Sequence, residues 1–163
     1  MIEKTFVAIK PDGVQRGLVG EVIKRFENSG LKLIGMKMQW LDKEFALKHY
    51  TEDISRRRGE KVRELLVDYI AEGPVVAMVI EGIHAIEIVR KIVGSTEPRT
   101  ALPGTIRGDF CHVSYDHADK FEKAIRNIIH ASGNKEDAEY EIKLWFKDKE
   151  LHSYENSNEQ HIR

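Results

Sequence analysis

Cysteine occurs once, at Cys111, so the chain can form neither an internal disulfide nor a thiolate metal cage. An excess of charge of one sign is also lacking: 26 Lys plus Arg stand against 27 Asp plus Glu, for a net charge of -1. That balance gives no global attraction to nucleic acid or to an anionic membrane, so any anion site must be local. No apolar run approaches the roughly 20 residues that span a bilayer. The opening Met1-Ile-Glu-Lys-Thr-Phe lacks the apolar core of a signal peptide. The expectation is a cytoplasmic protein with neither nucleic acid nor membrane as partner. Linkers, repeats and low-complexity blocks are absent, and 163 residues suit a single domain over 1–163. Neither a Gly-x-x-x-x-Gly-Lys-Ser/Thr nor a Gly-x-Gly-x-x-Gly run is present, which excludes a P-loop or a Rossmann turn.

What is present reads as alternating strands and helices. Lys4 to Ile9 is a strand ending at the turn signal Pro11-Asp12-Gly13. Val19, Val22, Ile23 and Phe26 recur at helical spacing until Gly30. Leu31 to Trp40 alternates Leu31, Leu33, Met36, Met38 and Trp40 with lysines and Gln39, as in a strand with one wet face and a shift near Gly35. Asp42 caps a short helix carrying Phe45, Leu47 and Tyr50, and Pro74 to Ile80 is a buried strand. After Gly82 a helix turns Ile83, Ile86, Val89, Ile92 and Val93 inward. A last strand covers Ile128 to Ala131, and a helix capped by Asn134 buries Ala138, Ile142, Trp145 and Phe146. The order predicts an α/β (α+β) sandwich with helices on one face of a mainly antiparallel sheet. The polar tail after Lys147 is expected to be loosely ordered.

The chemistry concentrates in Asn127-Ile-Ile-His130-Ala-Ser132, with Glu141 nine positions beyond Ser132. A neutral imidazole is a good nucleophile when one ring nitrogen is free and an acceptor holds the other. Glu141, two turns into its helix, can be that acceptor. An isolated histidine beside an apolar pair is more often structural, so the weight comes from elsewhere. The segment from Gly94 to Asp109 is too rich in Gly, Pro and Thr to be regular and must be a substantial loop. Its Arg99 and Arg107, with Arg90 before it and Lys10, can gather cations and N–H groups around polyphosphate. Loop arginines are usually just solvated; convergence with His130 argues otherwise.

Lys10-Pro-Asp-Gly-Val-Gln-Arg-Gly, Gly104-Thr-Ile-Arg107-Gly-Asp-Phe and Asn127-Ile-Ile-His130-Ala-Ser, with Glu141, strongly resemble the nucleoside diphosphate kinases from about Lys4 to Phe146. The resemblance implies a ferredoxin-like βαββαβ core with a four-stranded antiparallel sheet covered by helices. It implies Mg²⁺-dependent ping-pong transfer of a γ-phosphate from a nucleoside triphosphate, typically ATP, to nucleoside diphosphates, maintaining the NTP and dNTP pools. Carried over by motif, His130 resembles the histidine that takes the phosphate, and Glu141 its orienting carboxylate. Lys10 and Asn127 resemble the sugar-hydroxyl contacts, with Lys10 also near phosphate. Arg90, Thr96 and Arg107 resemble the phosphate clamp, and Tyr50 and Ser132 flank the nucleophile. No protein metal ligands are expected, since Mg²⁺ would be held mainly through nucleotide phosphates. Family resemblance also implies a homo-oligomer, a hexamer or a tetramer.

Two departures stand out. Between Thr51 and Leu66 the aromatic on which the family stacks the base is replaced by an aliphatic, Val62, unless one of Arg56, Arg57 and Arg58 stacks instead. The segment from His112 to Ala124 is longer than usual, and Asp116 is a plausible cap for an inserted helix near 116–126. His112 and His117 read as surface histidines, and Gly133 stands where the family usually has Asp. Two rivals remain open: a nucleotide-binding module without turnover, and an RNA-binding ferredoxin-like domain, for which the exposed aromatic signature is missing.

Overall fold

The apolar run Phe6-Val-Ala-Ile9 closes β1 (Ile2–Ile9) and is fully buried, which a strand achieves only with neighbours on both edges and layers on both faces. The computed structural model describes residues 2–162. After β1 come α1 (Pro11–Gln15), with proline at its start, and α2 (Val19–Asn28), whose Val22 and Phe26 point inward. Gly30, at φ 77°, ends α2: its N–H donates to Glu27 and that of Leu31 to Phe26, a Schellman closure. Next are β2 (Lys32–Trp40), α3 (Lys43–His49), α4 (Glu52–Arg58), α5 (Glu60–Ala71) and β3 (Pro74–Ile83). The chain continues through α6 (Ala85–Val93), α7 (Ile106–Phe110), α8 (Tyr115–Lys120), β4 (Ile129–Ala131), α9 (Lys135–Trp145) and α10 (Glu159–Ile162).

The sheet order is β2-β3-β1-β4 with every pair antiparallel, the ferredoxin-like arrangement. Helices cover both faces, not the single face expected. Val7, Ile9, Met78, Ile80 and Ile129 pack with α2 and α6 on one side. Phe6, Ala8, Ala77 and Val79 pack with α3, α5, Trp145 and Phe146 on the other. The period-2 alternation of a central strand feeds both layers, so its continuous apolar run fits this outcome.

Four local expectations change. Ile83 belongs to β3 and is exposed; α6 starts at Ala85 after His84 takes a left-handed φ of 51°. The inserted helix spans only 115–120 and is capped by Ser114, whose hydroxyl accepts from His117 N at 3.2 Å. It ends because Glu122 adopts φ 50° and Lys123 N donates back to Ala118 O, a closure made here without glycine. The tail is tied down: His152 N donates to Ile34 O at 2.8 Å, Tyr154 OH donates to Leu33 O, and Lys32 bridges Glu81 and Glu159. It runs along the outer edge of β2, where the register shifts between Leu33 and Gly35. Beyond it, Met36, Met38 and Trp40 are more than half exposed, so past the shift the apolar side of β2 is its wet side, while Leu33 before it packs on the core.

Candidate active site

β4 is three residues long, and alternation decides what it presents. Its register against β1 pairs Ile9 with Ile129, Ala8 with His130 and Val7 with Ala131. Ile129 and Ala131 enter the α2/α6 core, so His130 must face the opposite layer, beside Phe6. On α9, Ala138, Glu141 and Trp145 share the buried stripe, which brings the carboxylate across to the histidine. Asn134 caps this helix, accepting from Asp137 N at 2.8 Å as the sequence predicts.

His130 Nε2 lies 2.8 Å from Glu141 Oε1, while Ser132 Oγ donates to Glu141 Oε2 at 2.5 Å. Ser132 is itself fully buried and accepts from Phe6 N. Burial alone would raise the Glu141 carboxyl, but His130 and Ser132 outweigh it and hold it below the usual carboxylate range. An ionised carboxylate can only accept, so Nε2 of His130 carries the proton and Nδ1 keeps its lone pair.

The cationic side of the site is organised around Asn127. Lys10 Nζ donates to Asn127 Oδ1 at 2.8 Å, and Asn127 Nδ2 donates to Thr96 O at 2.8 Å. Burial, reinforced by the Arg107 charge, pulls the Lys10 ammonium down to about 7. Arg107 is also buried and donates to the carbonyls of Gly94 at 3.1 Å and Ile129 at 2.6 Å, joining the loop to β4. Burial, and then Arg90, lower it to about 10. Gly108, one residue on, is required: a Cβ there would stand 2.0 Å from Leu102 O.

A cleft of about 510 Å³ brings together Lys10, Tyr50, Arg90, Thr96, Arg107, Asn127 and His130, with Glu141 at its base. Ser132 lies behind it as the buried brace of Glu141. Val62 does not line the cleft; it packs against the α5 side of the core, while Ile54, Arg58, Leu66 and Ile125 supply the wall. Arg99 turns to Glu97 and Asp116 at 3.4 and 3.6 Å instead of to the cleft. His112 and His117 are exposed; among the described residues, the candidate metal-ligand trio is His49, His130 and Glu141. Gly133 lines the cleft, and a Cβ there would meet only the flexible end of Asp137.

Sequence reasoning missed His49 and Ile125. His49 is buried and forms an edge-to-face contact with His130, ring centroids 4.7 Å apart at 83°. Its signal was the spacing Ala46, His49, Tyr50, the true inner stripe of α3.

A lone-pair imidazole braced by a carboxylate, facing buried cations on a ferredoxin-like sheet, defines a phosphotransferase. The nucleoside diphosphate kinase family profile matches residues 3–151. Nucleoside diphosphate kinase of Pyrococcus furiosus is 53% identical over 94% of this chain and 88% of its own length. That of Borreliella burgdorferi is 46% identical over 98% and 96%. Among solved structures, a transition state mimic of the Borrelia burgdorferi enzyme with bound vanadate and ADP superposes with TM-score 0.96, at 46% identity over 98% of this chain and 96% of that one. A halophilic enzyme from Halobacterium salinarum in complex with CDP gives 0.84 at 38% identity, over 100% and 99%. The chain belongs to the nucleoside diphosphate kinase family, and its activity is phosphotransfer between nucleotides.

Proposed function

We propose that Nδ1 of His130 takes the γ-phosphate of a nucleoside triphosphate, and that a nucleoside diphosphate then removes it from the same cleft. The observation that carries this is the 2.8 Å contact of His130 Nε2 with Glu141 Oε1, which leaves one lone pair facing Lys10, Arg90 and Arg107. In the first half-reaction the N–P bond forms as the bond to the β,γ-bridging oxygen breaks and the diphosphate leaves. The second half-reaction is the reverse, giving ping-pong kinetics. Phosphoryl transfer through a loose transition state asks mainly for positioning and charge. Arg90, Arg107 and Thr96 hold the non-reacting oxygens, Lys10 and Asn127 hold the sugar hydroxyls and phosphate, and Tyr50 and Ser132 flank the nucleophile.

The family uses a divalent metal, and the donor set here fits Mg²⁺ carried on nucleotide phosphates. Buried Lys10 and Arg107 face the phosphate region; of the carboxylates lining the cleft, Glu141 is committed to His130 and Ser132 and Asp53 to Arg57, while Glu136 and Asp137 stand at the start of α9. Mg²⁺ supplies neutralisation of the polyphosphate. No helix among the described residues is long and apolar enough to cross a membrane. We read the protein as cytoplasmic, serving NTP and dNTP pools, and as a homo-oligomer. The exposed Met36, Met38 and Trp40 on the edge strand support an assembly interface.

Incubation with γ-labelled ATP and Mg²⁺ labels one histidine, and His130→Ala abolishes it. Label persisting in that variant moves the chemistry elsewhere.

A further inference from the structure

One nitrogen of His49, one of His130 and a carboxylate oxygen of Glu141 lie within 4.8 Å of one another. Two imidazoles and a carboxylate are a ligand set that zinc accepts at about 2.0–2.2 Å per bond. A transition metal shared by His130 and Glu141 would sit on Nε2, the nitrogen 2.8 Å from the carboxylate, and would displace the proton that Glu141 holds there. The chain therefore holds a latent metal trap at its nucleophile.

The state of His49 shows what keeps the trap from closing. The indole Nε1–H of Trp145 donates to His49 Nδ1 at 3.2 Å, deep in the core. An indole N–H can only donate, so Nδ1 must carry the lone pair, and the single proton of the neutral ring sits on Nε2. With Nδ1 accepting the indole N–H, the ring is neutral. Its Nε2 is buried and has no hydrogen-bond partner among the described residues. A metal-bound histidine normally uses its second nitrogen as a donor to an acceptor. His49 has the opposite arrangement. Ligation through Nδ1 takes the lone pair away from Trp145. Ligation through Nε2 moves the proton to Nδ1, where it confronts the indole N–H. Either route leaves a buried N–H unpaired, at a cost of about 1–3 kcal/mol.

We propose that Trp145, acting through His49, prevents the His49–His130–Glu141 trio from becoming a transition-metal site and so keeps Glu141 on the Nε2 proton of His130. Both are positioning residues. His49 presents an N–H, not a lone pair, beside the nucleophile. The consequence for catalysis rests on His130 as the phosphate acceptor, but the readouts below do not involve phosphate exchange and so stand or fall separately.

Histidine ¹⁵N shifts of the unaltered full chain give the tautomer directly. The expected result is the Nε2–H form of His49; a proton on Nδ1 overturns the proposal without any variant. Zinc competition against a chromogenic chelator, without nucleotide, then compares the natural chain with Trp145→Phe and with Trp145→Phe/His49→Gln. Loss of the indole donor should raise affinity for one zinc by about tenfold or more. The second substitution should remove that gain. A gain that survives His49→Gln, an unchanged affinity in folded Trp145→Phe, or zinc held through His49 in the natural chain would each sink the idea. Should Trp145→Phe not fold, the tautomer still decides.

Discussion

Asp12 and Ile128 meet far apart in sequence: Oδ2 of Asp12 accepts the Ile128 amide at 3.2 Å, where Ile128 holds φ 57°. A buried β-branched residue in the left-handed region costs about 1–3 kcal/mol. Lys10 N also donates to Ile128 O at 2.8 Å, and the hydroxyl of Tyr69 occupies the other oxygen of Asp12. These bonds hold a turn of the chain that lets Asn127 and His130 both reach the cleft. Asp12→Ala should lower unfolding free energy by about 1–3 kcal/mol, since it leaves the buried Ile128 N–H and the Tyr69 hydroxyl without their acceptor. It should also slow phosphoenzyme formation. Urea unfolding and a single-turnover label experiment measure the two effects; a variant as stable as the natural chain would show that Asp12 does not hold the turn.

Lys10 predicts a proton linkage. Its folded pKa lies near 7, below its ordinary value of 10.5, because burial and Arg107 disfavour the charge. Between those values the unfolded chain binds more protons than the folded one, so this group makes stability rise with pH over that window. A polyphosphate reverses the balance by favouring ammonium. Nucleotide binding at pH 8 should therefore take up protons, and affinity should fall as pH rises through 7 and beyond. Calorimetry in buffers of different ionisation enthalpy reads the uptake, which Lys10→Gln should abolish.

The loop that carries Arg107 is pinned from α2. Arg25 donates to Asp109 at 2.6 Å and to Gly104 O at 2.7 Å, and Asp109 accepts from Gly104 N at 2.7 Å. The Gly104 amide, then Arg25, hold the Asp109 carboxyl below its ordinary 3.8. Because the folded pKa is depressed, the contribution is full above about pH 4 and vanishes as pH falls through the folded value. Asp109→Ala should cost about 1–2 kcal/mol at pH 7 and raise the nucleotide KM through a loosened Arg107. In acid the variant and the natural chain should converge in urea unfolding; a gap that stays constant to low pH would mean the loss is packing.

Much of this was legible because local and tertiary signals agree. Asn134 caps α9 as its spacing says, and Glu141 stands out as a carboxylate on that helix's apolar stripe with Ala138 and Trp145. Where prediction failed, a remote contact or a backbone conformation decided. Nothing local to Asp116–Arg126 announces that Glu122 will turn left-handed and end α8. The β2 pattern fixes alternation but not which side is wet: Glu150 and Phe146 cover the Lys37 side and leave Met36 and Met38 outward. His49 was hidden because its role depends on Trp145, 96 positions away.

Val62 faces the core, so the base must find another platform. The three arginines of α4 are not equivalent: Arg56 and Arg57 pair with Glu52 and Asp53 at 3.8 and 2.7 Å. Arg57 and Arg58 both line the cleft, but Arg57 is held by Asp53, whereas the Arg58 guanidinium lies 5.3 Å over the Tyr115 ring at the start of α8. A guanidinium plane fixed from behind by an aromatic ring can take a base on its open side. Such stacking is worth about 1–3 kcal/mol and tolerates any base. Arg58→Met should therefore raise KM for every diphosphate by about tenfold, leaving kcat near its natural value because the phosphate clamp is untouched. Tyr115→Leu, which leaves the guanidinium unsupported, should show the same sign with smaller size. Steady-state kinetics with ADP, GDP, CDP and UDP measure both, and the spread of KM among the four should stay under about tenfold in the natural chain. A fall in kcat at constant KM would place Arg58 on the transferring phosphate instead of under the base.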